Sequence, residues 1–337
     1  MAGRATRVDR EVDLKVHPSR CAGWVPIGLY WRGKAPMVDW CHASDVPFTD
    51  PFFEQTIASL VQLPFNLLFR HQTPIDDLPK INAALPGLKP AGFIFHWSRC
   101  GSTLISQMLA AMPQNLVLSE PHLLDFVFRA HPQGARVSDG QRINWLRELI
   151  GALGQKRRNE HTRCFVKFDS WHTLRLPLIR RAFPDVPWVF VYRDPVEVLV
   201  SHEKEPAAQM MPGLIEPRLL GLNPEDLGQM PRDEYCARVL AAISQAALAQ
   251  SAGETVQFVN YRALPDAVFS SILPFFKVTC NASECESLRD IVRYHAKEPS
   301  VPFSPDSAAK QQDASEGIRQ LSEQWLRPLY QKMELGR

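Results

Sequence analysis

The chain has 337 residues, which is long enough for one large α/β unit or for two domains, with a full hydrophobic core. Lys and Arg number 38 and Asp and Glu number 36, so the net charge of +2 is too small to recruit a nucleic acid, and we expect no nucleic-acid partner. Hydrophobic residues make up 45% and charged residues 22% of the chain, which argues against a mainly disordered protein.

Residues 1–88 are rich in Pro and Trp and show little hydrophobic periodicity. Within them, Asp50 and Pro51 have the residue types of an N-cap and a first helical position, and they predict a helix that begins near Pro51. We interpret residues 1–88 as an N-terminal region appended to a main domain over residues 89–337.

From Lys89 onward, short apolar runs alternate with longer helical patterns. The runs are nearly continuous in Val, Ile and Phe, which is typical of parallel strands covered on both faces. They predict strands at 92–97, 116–118, 164–168, 188–192 and 255–259. Helices are predicted near 103–112, 141–153, 173–183, 195–204, 232–251, 263–272, 283–296 and 314–335. The alternation predicts a three-layer α/β domain, with helices on both faces of a central parallel sheet.

Cysteine usage and the N-terminus favour a cytoplasmic protein. The seven cysteines are an odd number scattered over the whole length, unlike the disulfide framework of a small secreted protein. The basic N-terminal start lacks the apolar stretch of a secretory signal, and no run reaches the roughly 18 apolar residues of a membrane span. We therefore expect a cytoplasmic location and no membrane span. The sequence leaves the oligomeric state open.

Ligands of an open parallel sheet bind beyond the carboxyl ends of its strands. The first predicted strand runs into a segment that combines an Arg, a Gly and two hydroxyl residues: Ser98, Arg99, Cys100, Gly101, Ser102, Thr103 and Leu104. Backbone N–H groups, the helix dipole and the guanidinium would together bind an anion such as phosphate or sulfate. Two other interpretations stay open, in which Ser102 or Thr103 only caps the helix or Cys100 is a nucleophile. The usual nucleoside-triphosphate loop is absent, because no Lys follows Gly101.

A second basic residue follows the fourth predicted strand. Asp194 and Pro195 have the types of an N-cap and a first helical position, which leaves Arg193 at the strand end, where it would bind a second anion. Ser201 lies about two turns into the following helix. Pairing of Arg193 with a nearby carboxylate is the alternative, since structural Arg pairs are common.

With these residues the sequence resembles the sulfotransferases that use 3′-phosphoadenosine 5′-phosphosulfate (PAPS). Their 5′-phosphosulfate loop, [KR]-x-G-[ST]-[ST], is matched by residues 99–103. Their 3′-phosphate motif, R-[DN]-P followed by a Ser, is matched by Arg193 and Ser201, and a later Y-x-x-L segment, whose Tyr lies by the adenine, by Tyr261 and Leu264. The resemblance covers roughly residue 91 to the C-terminus. It implies a P-loop-like α/β fold and PAPS as the co-substrate.

The resemblance also implies catalytic roles at other strand ends. Lys167 matches the family's lysine that assists the leaving group, so that Lys167 and Arg99 would stabilise the departing bridge oxygen. Lys310 falls in a segment where the family has a loop that closes over the nucleotide. Sulfuryl transfer moves a less charged group than phosphoryl transfer does, so no metal is expected.

The general base is a separate question. Tyrosylprotein and some carbohydrate sulfotransferases use a Glu soon after the first helix, and Glu120 matches that position. Cytosolic sulfotransferases of phenols and steroids use a His two residues after the catalytic Lys, but the residue there is Asp169. We predict Glu120 as the base, with His172 and His122 as alternatives.

The resemblance does not name the acceptor, which would supply a hydroxyl or an amine. A small molecule, a sugar and a carrier-bound chain all fit, and acceptor specificity is expected to lie in residues 1–88 and 204–232. Two other functions are kept as alternatives. One is an ATP- and Mg²⁺-dependent P-loop phosphotransferase acting on a small hydroxylated substrate, and the other is a non-catalytic nucleotide-binding protein.

Overall fold

The computed structural model of the chain describes residues 18–43, 46–129, 137–253 and 255–336. Its N-terminal part contains a three-stranded antiparallel sheet that the sequence did not predict, in the order β1-β2-β3, and three short helices. These elements are β1 (Trp24–Arg32), β2 (Ala35–His42), α1 (Phe53–Val61), α2 (Pro64–Leu68), β3 (His71–Pro74) and α3 (Leu78–Ala84).

The helix predicted to begin near Pro51 begins two residues later, and Phe52 is its N-cap residue. Asp50 does not cap it. Its carboxylate accepts a hydrogen bond from Thr56 Oγ1 at 2.5 Å instead, and the backbone N–H of Phe52 donates to the Gln55 side chain. The residue types therefore predicted the helix correctly, but these hydrogen bonds of Thr56 and Gln55 accompany a start two residues later than predicted.

The central sheet has five strands, all parallel, in the order β5-β6-β4-β7-β8. The five predicted strands are confirmed, and their bounds are β4 (Pro90–His96), β5 (Asn115–Ser119), β6 (Arg163–Lys167), β7 (Trp188–Tyr192) and β8 (Val256–Asn260). Every residue of β5 and β7 is buried, as expected for parallel strands covered on both faces. The predicted fold class, an α/β domain with helices flanking a parallel sheet, is confirmed.

The helices of the main part are α4 (Ser102–Ala110), α5 (Leu123–Arg129), α6 (Asp139–Leu153), α7 (Leu176–Ala182), α8 (Pro195–Lys204), α9 (Arg232–Ala249), α10 (Leu273–Phe275), α11 (Ala282–Ile291), α12 (Ser307–Asp313), α13 (Glu316–Leu321) and α14 (Arg327–Leu335). A hairpin of two strands, β9 (Tyr294–His295) and β10 (Glu298–Pro302), lies between α11 and α12. The predicted helices near 103–112, 141–153, 195–204 and 232–251 are confirmed to within two residues at either end. The one near 173–183 begins as a 3₁₀ turn before α7.

Two predicted helices differ from the structure. The one near 263–272 is a 3₁₀ turn followed by a π-helical turn at Val268–Ile272, because Pro265 lacks the N–H that a continuous helix needs. The one near 283–296 ends at Ile291, and the chain then pairs β9 with β10. Residues of this hairpin lie near the carboxyl ends of the central strands, where a helix continuing to residue 296 would not have placed them.

The predicted helix near 314–335 is continuous but irregular. Ser315 caps it, since its Oγ accepts a hydrogen bond from the N–H of Ile318. A π-helical turn at Ser322–Leu326 ends two residues before Pro328. A wider turn leaves room for a residue that cannot donate, so the helix passes Pro328 without ending.

The N-terminal part packs directly on the central sheet. Ser119, the last residue of β5, donates from Oγ to the backbone oxygen of Pro51 at 2.8 Å. The rings of Trp31 and Phe126 stack with centroids 5.5 Å apart, and the buried apolar residues of both parts form one core. This packing brings Phe52 to the carboxyl end of the sheet, where the predicted site lies.

Cys280 and Cys285 form a disulfide, which was not predicted from the scattered cysteines. The other five cysteines are free and buried. Within the described parts of the chain, no helix has both the length and the apolar character that crossing a membrane requires.

Candidate active site

All five strands of the central sheet contribute to one cavity of about 880 Å³ at their carboxyl ends. Its wall contains one residue or more from the segment that follows each strand, for example Ser98 after β4, Glu120 after β5, Asp169 after β6, Arg193 after β7 and Tyr261 after β8. Of the thirteen predicted site residues, twelve line this cavity: Ser98, Arg99, Cys100, Gly101, Ser102, Thr103, Leu104, Glu120, Arg193, Ser201, Tyr261 and Lys310. The thirteenth, Lys167, is fully buried at its edge.

The anion loop, residues 98–103, has a left-handed backbone at three of its positions. The φ angles are +77° at Ser98, +53° at Arg99 and +83° at Gly101, and non-glycine residues rarely adopt such angles. Each such residue costs on the order of 1–3 kcal/mol, and strain of this kind concentrates at functional sites. The loop presents backbone N–H groups at the start of α4, and Arg99 forms a 3.0 Å ion pair with Glu205 at its edge. This arrangement can bind an anion.

The alternative interpretations of the loop do not match its geometry. Gly101 is the N-cap of α4, so Ser102 and Thr103 are helical residues and neither caps the helix. The thiol of Cys100 is fully buried and donates to the backbone oxygen of Val191 at 3.1 Å, which is the contact of a packed residue rather than of a nucleophile.

Glu120, Lys167 and His96 form a charged cluster at the ends of three strands that lie side by side. Glu120 follows β5 and has a positive φ of +54°, which turns its side chain into the cavity wall. Lys167 at the end of β6 donates to Glu120 Oε1, and His96 Nε2 at the end of β4 lies 3.1 Å from the same oxygen. Lys167 Nζ is also 3.5 Å from Thr103 Oγ1, so the ammonium group stands between Glu120 and the anion loop.

Two carboxyl groups of the cavity wall, those of Glu120 and Asp169, have pKa shifts in opposite directions. Burial alone would raise the pKa of Glu120, but the charge of Lys167 and the hydrogen bonds from His96 and Lys167 outweigh it, and that pKa lies well below its ordinary range. The pKa of Asp169 is raised, mainly by burial and also by the negative charge of Glu120. Burial opposes the charging of His96, but its hydrogen bonds with Cys100 and Glu120 prevail and raise its pKa.

Arg193 is buried at the end of β7 and already has carboxylate partners, as in the alternative interpretation of this residue. Its Nε donates to Glu197 and its Nη2 to Asp306, both at 2.5 Å. Asp306 is also paired with Lys310 at 2.5 Å and is about half exposed, with a side-chain exposure of 45%. Ser201 lines the cavity nearby, and its Oγ donates to the backbone oxygen of Glu197. These carboxylates therefore compete with any anion for the charge of Arg193.

The predicted base alternatives His172 and His122 are not part of the cavity wall. His172 is buried among aromatic rings, and its Nε2 lies 2.7 Å from Asp125. His122 is partly exposed and pairs with Glu54 at 3.2 Å. Neither residue is placed to take a proton from an acceptor in the cavity.

The cavity wall also contains residues that were not among the predicted ones, including Phe52, His96, Lys297 and Asp306. Lys297 lies in the turn between β9 and β10, and its Nζ is 5.7 Å from the centroid of the Phe52 ring, over which Lys167 also lies. The pKa of Lys297 is lowered, mainly by burial and then by the charges of Arg99 and Lys167. A Lys in a segment of unassigned structure carries no signal that it faces a site.

Cationic side chains therefore converge on this cavity from several elements. Among the described residues, no group of three or more His, Cys, Asp and Glu side chains could hold a metal ion. Arg99, Arg193, Lys297 and Lys310 line the cavity, and Lys167 adds its charge at the edge. The wall thus suits an elongated ligand with anionic groups at two places.

The chain matches one known protein family. Residues 92–282, more than half of the chain, match the model of the sulfotransferase family, and the chain therefore belongs to this family. It is a transferase that moves a sulfuryl group. None of the curated protein sequences matches the chain.

Several solved structures are also similar to this chain. The sulfotransferase domain from the curacin biosynthetic pathway is 17% identical, with 71% of this chain and 98% of that one covered and a TM-score of 0.43. Sulfotransferase STF9 from Mycobacterium avium is 14% identical (75% and 79% covered, TM-score 0.44), and a sulfotransferase from Alicyclobacillus acidocaldarius is 16% identical (74% and 95% covered, TM-score 0.43). The assignment rests on the family model and not on these likenesses.

Proposed function

We propose that the chain transfers the sulfuryl group of PAPS to a hydroxyl or amine acceptor. The observation that carries the proposal is the convergence of the predicted donor motifs. The guanidinium of Arg193 lies 4.0 Å above the ring of Tyr261, and a Cβ on Gly101 would be 2.8 Å from that ring. Residues far apart in the sequence therefore border one cavity, as a nucleotide with two anionic ends requires.

In this proposal each anionic end has its own group of residues. The loop Ser98 to Leu104 holds the 5′-phosphosulfate through its backbone N–H groups and Arg99. The 3′-phosphate binds Arg193 and Ser201, with Lys310 beside them, and it displaces Asp306, the more exposed of the two carboxylate partners of Arg193. Tyr261 lies beside the adenine. No metal takes part in the proposed binding.

Glu120 is the proposed general base. Both of its described partners contact Oε1, and none of the described residues donates to Oε2, so that oxygen is free to take a proton from an acceptor in the cavity. The acceptor oxygen forms the new S–O bond as its proton passes to Glu120, and the bridging S–O bond breaks. Lys167 and Arg99 stabilise the charge on the bridging oxygen, which leaves as part of 3′-phosphoadenosine 5′-phosphate.

The charge of Lys167 links the donor to the base. In the free protein this charge keeps the pKa of Glu120 low, which makes the carboxylate a weak base. Lys167 Nζ also lies close to Thr103 of the anion loop, so an anion bound there shares its charge. The pKa of Glu120 then rises toward the range in which a carboxylate accepts a proton effectively.

The acceptor half of the cavity has contributions from both segments expected to set specificity. Phe52 comes from the N-terminal region, and Ala207 and Gln209 come from the segment 204–232. Residues 89–337 are the proposed sulfotransferase domain, and residues 1–88 are a region that completes its acceptor side. Small molecules, sugars and carrier-bound chains remain the candidate acceptors. The cytoplasmic location remains a prediction from the sequence.

A calorimetric titration with 3′-phosphoadenosine 5′-phosphate, beside ATP with and without Mg²⁺, tests the donor. We expect binding of the bisphosphate without metal and its loss in Arg193→Ala. Arg181→Ala is the matched control, because Arg181 is an exposed arginine that pairs with Asp139 outside the cavity. ATP binding that depends on Mg²⁺, with no affinity for the bisphosphate, would contradict the proposed donor.

A further inference from the structure

One imidazole connects the anion loop to the proposed base. The backbone N–H of Ser98 donates to His96 Nδ1 at 2.9 Å, and His96 Nε2 lies 3.1 Å from Glu120 Oε1. Because Nδ1 accepts a hydrogen bond, it carries no hydrogen in this geometry. The contact with Glu120 is therefore a donation from Nε2–H, and the neutral Nε2–H tautomer makes both hydrogen bonds.

The two residues that His96 contacts are both strained. Ser98 has a φ of +77° and Glu120 a φ of +54°, and each requires support from its surroundings to keep that conformation. The strands that carry them are not neighbours, since β6 lies between β4 and β5. The ring of His96 is 4% exposed. It thus bridges the segments that follow β4 and β5, across β6, and holds them at a fixed separation.

We propose that His96 is a positioning residue of the transfer reaction, whose neutral imidazole fixes the Glu120 carboxylate relative to the anion loop. The inference rests on the proposed function, in which Glu120 is the base. Lys167 and His96 share Oε1, but the charge of Lys167 is also drawn to a bound anion. His96 keeps the carboxylate oriented throughout, with Oε2 toward the acceptor.

Three substitutions separate the two hydrogen bonds of His96. The amide nitrogen of Gln reaches about as far as Nε2, so His96→Gln keeps the contact with Glu120. The amide of Asn reaches about as far as Nδ1, so His96→Asn keeps only the contact with Ser98, and His96→Leu removes both. His172→Gln is the matched control, since His172 is also a buried His next to a carboxylate, but it lies outside the cavity wall.

The acceptor is unidentified, so turnover is measured as the release of 3′-phosphoadenosine 5′-phosphate when water is the acceptor of PAPS. We expect kcat to fall about 100-fold in His96→Asn and His96→Leu, as for a misplaced catalytic group, and to recover in His96→Gln. Loss of a donor to the charged form of Glu120 raises its pKa. The acid limb of the pH–rate profile therefore moves to higher pH in the Asn and Leu variants, and not in His172→Gln.

An acid limb that stays unchanged in His96→Asn, or equal losses of kcat in the Gln and Asn variants, would overturn the proposal. Nitrogen-15 NMR of labelled histidine, with His96 assigned from the spectrum of His96→Asn, tests the bridge without any donor. Because the pKa of His96 is raised, the spectrum is recorded at a pH well above that raised value. We expect a neutral Nε2–H imidazole there, and a protonated ring or the Nδ1–H tautomer at that pH would also overturn the proposal. If the wild type neither binds nor hydrolyses PAPS, the proposed function fails, and the NMR result alone decides whether the bridge exists.

Discussion

The guanidinium of Arg193 stacks on the ring of Tyr261, and the same ring leaves no room for a side chain at Gly101. The stack joins residues that follow three different strands, β7, β8 and β4. We therefore expect a change in the anion loop to shift Arg193 through the ring of Tyr261. The loop and the arginine thus form one continuous edge of the cavity.

Gly101→Ala tests this edge. The added Cβ would lie 2.8 Å from Tyr261 Cδ2 and 2.9 Å from Leu264 Cδ1, and the φ of +83° disfavours any residue with a Cβ. We expect loss of binding to 3′-phosphoadenosine 5′-phosphate in calorimetry, together with a drop in the free energy of unfolding of about 1–3 kcal/mol.

Gly213→Ala provides the control for backbone strain. Gly213 has a φ of +91°, but nothing lies within 4 Å of a Cβ placed there. We expect a similar loss of stability from the left-handed backbone and an unchanged nucleotide affinity. If both variants lost affinity equally, a general loss of stability would explain the effect, and the contact of Gly101 with Tyr261 would not matter for binding.

Asp306→Asn should strengthen nucleotide binding. Asp306 pairs with Arg193 and Lys310, and in the proposed mode of binding it competes with the 3′-phosphate for the same positive charges. A half-exposed ion pair contributes up to about 1 kcal/mol, so we expect the Kd for 3′-phosphoadenosine 5′-phosphate to fall about three- to fivefold. Asp290→Asn, which removes the same charge from a pair with Arg293 outside the main cavity, should leave the Kd unchanged. A weaker affinity in Asp306→Asn would instead indicate that Asp306 orients Arg193 for the ligand.

The sequence was sufficient for the five central strands and for the segments that follow them. Buried parallel strands are continuous apolar runs. A helix start is marked within a few residues by a Gly two residues after an Arg in one case, and by an Asp-Pro pair in the other. These are local signals. The proposed role of Glu120 depended on the family resemblance, because a Glu before a Pro has no local feature that distinguishes it from a helix-capping acid.

The residues that the sequence did not reveal depend on tertiary packing. The strand β1 contains Pro26 and ends in half-buried residues, so neither alternation nor a continuous apolar run marks it. His96 is the last residue of β4, a strand that was predicted only from its apolar residues. Asp306 lies 113 residues after its partner Arg193, and no pattern in the sequence pairs the two. Such contacts follow from how β9, β10 and α12 fold over the strand ends.

Glu120→Gln should abolish sulfuryl transfer while leaving the affinity for 3′-phosphoadenosine 5′-phosphate unchanged. The amide keeps the shape of the side chain but cannot accept the proton, and a positioned base contributes a factor of at least about 100 to the rate. Turnover of PAPS with water as the acceptor, measured beside calorimetric binding, checks both parts.

Asp169→Asn is the control for the choice of base. Asp169 lines the same cavity, and its raised pKa makes it the stronger proton acceptor of the two carboxylates in the free protein. We expect this variant to retain most of its turnover, because the partners that fix Glu120 Oε1 are undisturbed. The opposite result, an active Glu120→Gln and an inactive Asp169→Asn, would move the base to Asp169.

Lys297→Ala should weaken the binding of PAPS more than the binding of 3′-phosphoadenosine 5′-phosphate. Lys297 lies near Arg99 and Lys167, at the end of the cavity where the sulfuryl group is proposed to bind. A charge-assisted hydrogen bond of this kind corresponds to about a tenfold change in Kd.

The lowered pKa of Lys297 means that its charge is lost at a lower pH than that of an ordinary lysine. The difference in affinity between the two nucleotides should therefore shrink as the pH rises in the wild type and stay constant in Lys297→Ala. Competition binding across this pH range, with the exposed Lys80→Ala as the control, measures both effects. Equal losses for the two nucleotides in Lys297→Ala would place Lys297 at a phosphate that they share.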